Sequence, residues 1–328
     1  MIDRQNEKIG RNPEVVCIGA CCADITLTGV ARRDMFGDTY GLAEEVTYCV
    51  GGDALNEAVT LAKLGHRTTF MGRVGDDFVG EFIIREGSGY GIDMSHVTKD
   101  SSCQTYNPIA IVGENDKREF YWKKAGTSNR RCCIDDVNLD LVKQAKIVSF
   151  GSIFVVPGFT GEMLRNIFQT AKNGDATVFA DVCPMEGSEN LASVAEALPY
   201  IDYFFLNLDE AKLLTGSETM GEAVDTLLET GIKTVVLKLG KKGCYIRNRV
   251  GGRQISAYSV KTVNSTGAGD NFLAGFISAR LDGKSDEECA KYGAAAAALT
   301  VQSPGASTGI RSRDQVEEFI RMHEWNTL

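Results

Sequence analysis

A chain of 328 residues with 43% hydrophobic side chains can bury a sizeable core in one large domain or two ordinary ones, which excludes disorder as the default. A formal charge of −9 excludes nucleic acid as the expected partner, because a phosphate backbone needs a basic stripe and Arg130-Arg131 and Lys241-Lys242 are short, isolated pairs. Ten cysteines without CxxC spacing, three histidines, no apolar run of membrane length and no secretory core at the N-terminus point to a cytoplasmic protein with no membrane partner and no structural zinc.

The first expected strand, Val15 to Gly19, is a short apolar run that ends in small residues, with Asp24 just beyond it. Ile25 to Thr28 and Glu45 to Val50 alternate polar and apolar residues as half-exposed strands do, separated by a Gly-containing link from Met35 to Gly41. Asp53 to Leu64 reads as a helix, with Leu55, Ala58, Val59 and Ala62 on one face and Gly65 as its stop. A second amphipathic pair, Thr105 to Val112 and Arg118 to Lys123, is joined by a polar turn, Gly113 to Lys117. From about Ala145 the rhythm is strand then helix: Ile147 to Phe150, Gly158 to Lys172, Thr177 to Asp181, Ser188 to Ala197, Tyr203 to Leu206, Glu218 to Glu229, Thr234 to Lys238. Helices Ala268 to Leu281, Asp286 to Leu299 and Arg313 to Arg321 close the chain.

The expected architecture is therefore α/β: a doubly wound, mostly parallel sheet with helices on both faces, plus a small β-sheet lid. The large domain takes residues 14–25, 50–100 and 125–328, and the lid 26–49 and 101–124. Ligands in such folds bind at the carboxyl ends of the strands.

Four segments carry candidate chemistry. Thr266-Gly267-Ala268-Gly269-Asp270 opens a helix after the strand-like Ser259 to Val263, and exposed N–H groups at such a start favour an anion. A carboxylate in that first turn would repel phosphate unless it has a task, such as accepting a proton from an attacking hydroxyl; serving the helix dipole is the plainer alternative. Gly51-Gly52-Asp53-xx-Asn56 ends a strand and opens a helix, leaving polar groups for hydroxyls or for an ordinary N-cap. Asn207-xx-Glu210 follows a strand and can hold Mg²⁺ through waters or form a capping box. Lys238-Leu-Gly240-Lys-Lys-Gly243 leaves backbone free for a nucleotide or simply turns the chain, and no GxxxxGK[ST] loop exists.

Taken in order from about Val15 to Ile320, this set of motifs resembles the ribokinase-like (PfkB) carbohydrate kinase family. The resemblance implies an ATP- and Mg²⁺-dependent kinase acting on a hydroxyl of a small sugar or sugar acid, and a homodimer formed through the lids. Asp270 would be the general base, with Gly267, Ala268 and Gly269 forming an anion hole. Asp24, Gly51, Gly52 and Asn56 would bind the sugar. Asn207, Glu210, Lys238, Gly240, Gly243, Gly305 and Ala306 would bind the nucleotide, with Glu210 reaching Mg²⁺ through water.

Departures from the pattern bear on specificity. Asn264 stands where many members carry an Asp implicated in binding an activating monovalent cation, which leaves potassium dependence open. Lys238 replaces a Thr and Asp53 a Lys of ribokinases, and no acidic residue stands at Gly151-Ser152-Ile153 to contact a ribose ring. The run from Phe120 to Thr127 resembles the lid exit of fructokinases and 2-keto-3-deoxygluconate kinases, so substrates of those types are favoured over ribose. A nucleoside kinase on the same fold is the alternative, and a ligand sensor without catalysis is the reading from another class.

Overall fold

The structure, a computed structural model, describes residues 12–35, 38–113, 118–183, 190–323 and 325. In chain order its strands and helices are β1 (Val15–Gly19), β2 (Cys22–Met35), β3 (Asp38–Leu42), β4 (Glu45–Gly51), α1 (Asp53–Lys63), β5 (Thr68–Gly75), α2 (Phe78–Gly89), β6 (Val97–Asp100), β7 (Ile109–Gly113) and β8 (Arg118–Tyr121). There follow α3 (Ser128–Arg131), α4 (Leu139–Gln144), β9 (Ile147–Gly151), α5 (Gly161–Asn173), β10 (Thr177–Asp181), β11 (Tyr203–Asn207), α6 (Leu208–Thr215) and α7 (Met220–Glu229). The last elements are β12 (Thr234–Lys238), β13 (Cys244–Asn248), β14 (Gly252–Ile255), α8 (Ala268–Leu281), α9 (Asp286–Val301) and α10 (Arg313–Met322).

Continuous apolar runs make the central strands. Val15 to Ile18, Val178 to Ala180, Phe204 to Leu206 and Val235 to Leu237 are all fully buried, as strands covered on both faces must be. They lie in a nine-stranded sheet of order β14-β13-β12-β11-β10-β9-β1-β5-β6, parallel except where β13 pairs antiparallel with β12 and β14. One apolar cluster packs α1, α8, α9 and α10 on one face, and a second packs α4 to α7 on the other. Side-chain caps start several of these helices, with reciprocal boxes at Thr219/Glu222 and Ser285/Glu288.

The strand order turns back between β9 and β1, whose carboxyl ends meet at Gly19 and Gly151. That reversal opens a crevice at the top of the sheet. Helices α8 and α9 cross with almost no side chain between them: a Cβ at Gly293 would lie 2.5 Å from the carbonyl oxygen of Phe272, and one at Gly275 2.9 Å from Cα of Gly293. Gly293 and Ala296 form the α9 side of this contact.

The second sheet has five strands, β3-β2-β7-β8 with β4 also on β2. Fourteen-residue β2 is its spine: its first half pairs with β4 and, in parallel, with β7, and its second half with β3. The predicted strand at Ile25 to Thr28 is thus the middle of a longer one, and most of the predicted link from Met35 to Gly41 is β3. Polar, Gly-containing Asp38–Leu42 is exposed along its whole length, so the apolar signal that marks a strand is missing there. The expected turn at Gly113 to Lys117 falls largely on residues outside those described.

Two other expectations are corrected. The described part of Ser188 to Ala197 is a single 3₁₀ turn, Leu191–Val194, rather than a helix. Ser259 to Val263 is irregular: the Val263 and Asn264 N–H groups donate to the carbonyl of Val301 at 2.7 and 3.1 Å instead of joining a ladder. Among the described residues no helix is long and apolar enough to cross a membrane, and all ten cysteines are free.

Candidate active site

Helix α8 begins at Gly267, whose φ of +74° is open to glycine at little cost. A Cβ there would also lie 2.2 Å from the carbonyl oxygen of Ala306, so the loop carrying Gly305 and Ala306 is seated directly on the helix start. Asn271 fastens the joint. Its Nδ2 donates to the carbonyls of Gly267 and Ala306, both at 2.6 Å, and its Oδ1 accepts from Thr60 of α1 at 2.5 Å. Asn271 is not among the candidates read from the sequence, because the full burial that marks it is visible only in the fold.

Asp270, only 9% exposed, stands in the first turn of α8 and accepts at Oδ2 a 2.7 Å hydrogen bond from Nδ2 of Asn56, on the first turn of α1. Burial, and secondarily the charge of Asp181, push its pKa up to about 6, against the lowering effect of Asn56 and Lys238. The amides of the first helical turn have no intrahelical carbonyl to bond. That of Ala268 closes a long 3.3 Å turn onto Ser265, so the three expected anion-hole amides are not equally free.

Asp53 and Asp181 complete a carboxylate cluster with Asp270, their ligand-type oxygens all within 4.8 Å of one another. Asp53 is the first helical residue of α1, after an N-cap at Gly52 whose φ is +91°. Asp181 ends β10 and accepts the Ser152 N–H at 2.5 Å, with Ser152 itself in the left-handed region at φ 57°. Burial raises the pKa of both acids. Glu57, 0% exposed, lies behind the cluster: Ser149 donates to its Oε2 at 2.5 Å, Oε1 has no partner, and burial together with Asp181 pushes its pKa well up. Sequence analysis passed over Asp181 and Glu57. The former had one usable signal, a carboxylate at the carboxyl end of a buried strand.

Lys238, at the carboxyl end of β12, is the cation of this region. Its ammonium feels Asp181, Glu210, Asp270 and Asp53, which raise its pKa against the lowering effect of burial. Asn207 and Glu210 form a capping box on α6, with Asn207 Oδ1 accepting from Glu210 N at 2.8 Å and Glu210 Oε2 from Asn207 N at 2.7 Å. The capping alternative is therefore realised, and among the described residues it leaves Glu210 Oε1 without a hydrogen bond. Glu210 and the aspartate trio are the oxygen donors able to hold a hard divalent ion.

A cavity of about 800 Å³ adjoins the cluster. Asn207, Lys238, Gly240, Gly243, Ala268 and Gly269 line its polar end, and Tyr258, Phe272, Ala297 and Val301 are among its apolar walls. Gly305 and Ala306 do not line it; Ala306 is held against Gly267 instead. Asp24 takes a 3.4 Å contact from the Cys22 thiol, and its Oδ2 fills the space a Cβ on Gly51 would occupy.

A parallel sheet whose strand ends gather a base candidate, a helix start, a carboxylate cluster, a lysine and a nucleotide-sized cavity defines a phosphotransferase class of site. The chain belongs to the pfkB family of carbohydrate kinases, whose family model matches residues 12–313. It is thus a phosphotransferase with a hydroxyl acceptor. It is 29% identical over 314 residues to ribokinase of Staphylococcus aureus, covering 93% of this chain and 99% of that protein. It is likewise 29% identical to 2-dehydro-3-deoxygluconokinase of Bacillus subtilis, covering 90% and 95%. The structure of Arabidopsis thaliana ribokinase complexed with ribose and ATP superposes with a TM-score of 0.80 at 28% identity, covering 95% of this chain and 99% of that one.

Proposed function

We propose that this carbohydrate kinase transfers the γ-phosphoryl of ATP to a hydroxyl of a small sugar or sugar acid, with Asp270 as general base. The observation that carries the proposal is the placement of Asp270: a buried carboxylate on the first turn of α8, next to cavity-lining Gly269 and hydrogen-bonded to Asn56. ATP fills the cavity from Gly240 and Gly243 toward Gly269, and the sugar lies between Asp24, Gly51, Gly52 and Asn56. Asp270 takes the proton of the acceptor hydroxyl as its oxygen attacks the γ-phosphorus, the bond to the bridging oxygen breaks, and ADP leaves with the electron pair. The amides at Gly267 to Gly269 stabilise charge on the equatorial oxygens.

Mg²⁺ fits the oxygen donors present: Glu210 would hold it through water, and when bound the ion would neutralise the phosphate chain. Names of relatives support ATP as donor and include ribokinase, fructokinase and 2-dehydro-3-deoxygluconokinase, which leaves the acceptor open among them. We favour fructose-like or 2-keto-3-deoxygluconate-like acceptors, because Ser152 and its neighbours offer no acidic side chain and the lid exit at Phe120 to Trp122 is aromatic. The five-stranded sheet serves as the lid. Exposed Tyr40, Leu42, Val46, Tyr48 and Phe120 on it support pairing of two copies through that sheet, and ten free thiols support a cytoplasmic setting.

The test is ADP release with ATP, Mg²⁺ and a panel of ribose, fructose, 2-keto-3-deoxygluconate and adenosine. Turnover of a sugar or sugar acid is expected. Turnover of adenosine alone, or of none with ATP, overturns the proposal.

A further inference from the structure

Lys238 is surrounded by four carboxylates and pairs with none of them. Asp181, Glu210, Asp270 and Asp53 all act on its charge, yet among the described residues no carboxylate oxygen comes within the 4.0 Å of an ion pair with its Nζ. A lysine amine drawn toward acids ordinarily closes on one of them, as Lys172 and Lys233 do on Asp202 at 2.7 and 2.6 Å. The Lys238 amine is instead held at the start of α8: a Cβ built on Gly269 would lie 2.9 Å from Nζ, so the side chain runs over the one residue of that turn that leaves it room. Lys238 and Gly269 also both line the cavity.

A cation that forgoes four nearby carboxylates and stands beside unpaired helix-start amides has an anion as its missing partner. The local charge agrees. Four carboxylates against one lysine make a site that repels a triphosphate, and a fixed ammonium at the point of entry offsets this where the terminal phosphoryl arrives.

Building on the kinase reading above, we propose that Lys238 contacts the transferring terminal phosphoryl of the nucleotide, acting as a catalytic residue rather than only as part of the strand-turn under the nucleotide. The ammonium donates hydrogen bonds to the phosphoryl oxygens and, as a positive charge among these acids, keeps the phosphoryl and Asp270 from repelling one another. Gly269 is glycine because a side chain would displace the amine.

The test is calorimetric binding of a non-hydrolysable ATP analogue, ADP and adenosine, each with Mg²⁺, to the wild-type protein, Lys238→Met and Lys238→Arg, together with kcat and KM on the acceptor found above. Removing one charge-assisted contact should cost the triphosphate about 10- to 100-fold in affinity, with adenosine binding unchanged. The drop in kcat should be larger than the rise in KM for ATP, with partial recovery in Lys238→Arg. Gly269→Ala, which keeps the charge but pushes the amine aside, should lose the same triphosphate preference. Equal weakening of all three ligands in Lys238→Met, or an unchanged ratio of triphosphate to adenosine affinity, overturns the assignment. Lack of nucleotide binding by the wild-type protein would instead remove the kinase reading itself.

Discussion

Asn56 and Asp270, 214 residues apart, meet through a single 2.7 Å hydrogen bond between buried side chains. That bond ties α1 to α8 and holds the Asp270 carboxylate down in pKa against the burial and the Asp181 charge that push it up to about 6. Catalysis by Asp270 needs the ionised form, so kcat should rise with pH through about 6. In Asn56→Ala the lowering contact is lost and the rising limb should move to higher pH, with kcat reduced at neutral pH. A pH–rate profile of both proteins checks this, and an unmoved limb would separate Asn56 from the base.

Asp270→Asn keeps the shape of the first turn of α8 and removes the proton acceptor. Turnover should fall by about 10²- to 10⁴-fold, while calorimetry with an ATP analogue shows affinity preserved or improved. Near-normal turnover would assign the base elsewhere.

Gly267→Ala combines a left-handed backbone with a Cβ driven against the Ala306 carbonyl. Loss of stability of at least about 2 kcal/mol is expected, read from urea unfolding, because the strain and the collision add.

Glu57→Gln tests the buried acid behind the cluster. The folded-state pKa of Glu57 lies well above the 4.5 of an unfolded chain, so the folded protein keeps a proton that the unfolded one releases. A carboxyl raised in this way contributes stability at low pH that is lost as pH rises above about 4.5, by about 1.4 kcal/mol for each pH unit until the folded group ionises. The glutamine variant lacks that loss. Unfolding at pH 5 and pH 8 should therefore show Glu57→Gln gaining on the wild-type protein at the higher pH.

Asn264 is neutral and its Oδ1 already accepts the Thr266 N–H at 3.0 Å. Turnover in sodium-free buffer should be insensitive to added KCl, and a large stimulation would show that the loop still holds a monovalent cation.

The parts of the fold written in local pattern were legible in the chain. Val178 to Ala180 and Phe204 to Leu206 announce buried parallel strands because nothing polar interrupts them, and Gly267 to Asp270 announces a helix start. The parts set by distant contact were not. Asp181 and Glu57 look ordinary in sequence, and only the crossing of α1 over the ends of β9 and β10 makes them neighbours of Asp270. Likewise β3 forms because β2 offers it an edge, while Ser259 to Val263 has strand-like residues but no partner strand in reach. For Lys238 spacing leaves a nucleotide turn and a plain turn equally open, and only the resemblance assigns it to the nucleotide; its four acidic neighbours come from β10, α1, α6 and α8 and share no local motif.

The close crossing of α8 and α9 gives the enzyme a long lever. Because Gly293 lies against the Phe272 carbonyl and Gly275 against Gly293, two residues past Asp270 the helix has no slack to absorb an added methyl group. Such a change would pass down a rigid rod to Asp270, the proposed base, so mutational surveys of this protein should find activity lost at small helix-crossing positions that touch neither sugar nor nucleotide. The reach of its chemistry into sequence is set by packing tolerance as much as by contact with ligand.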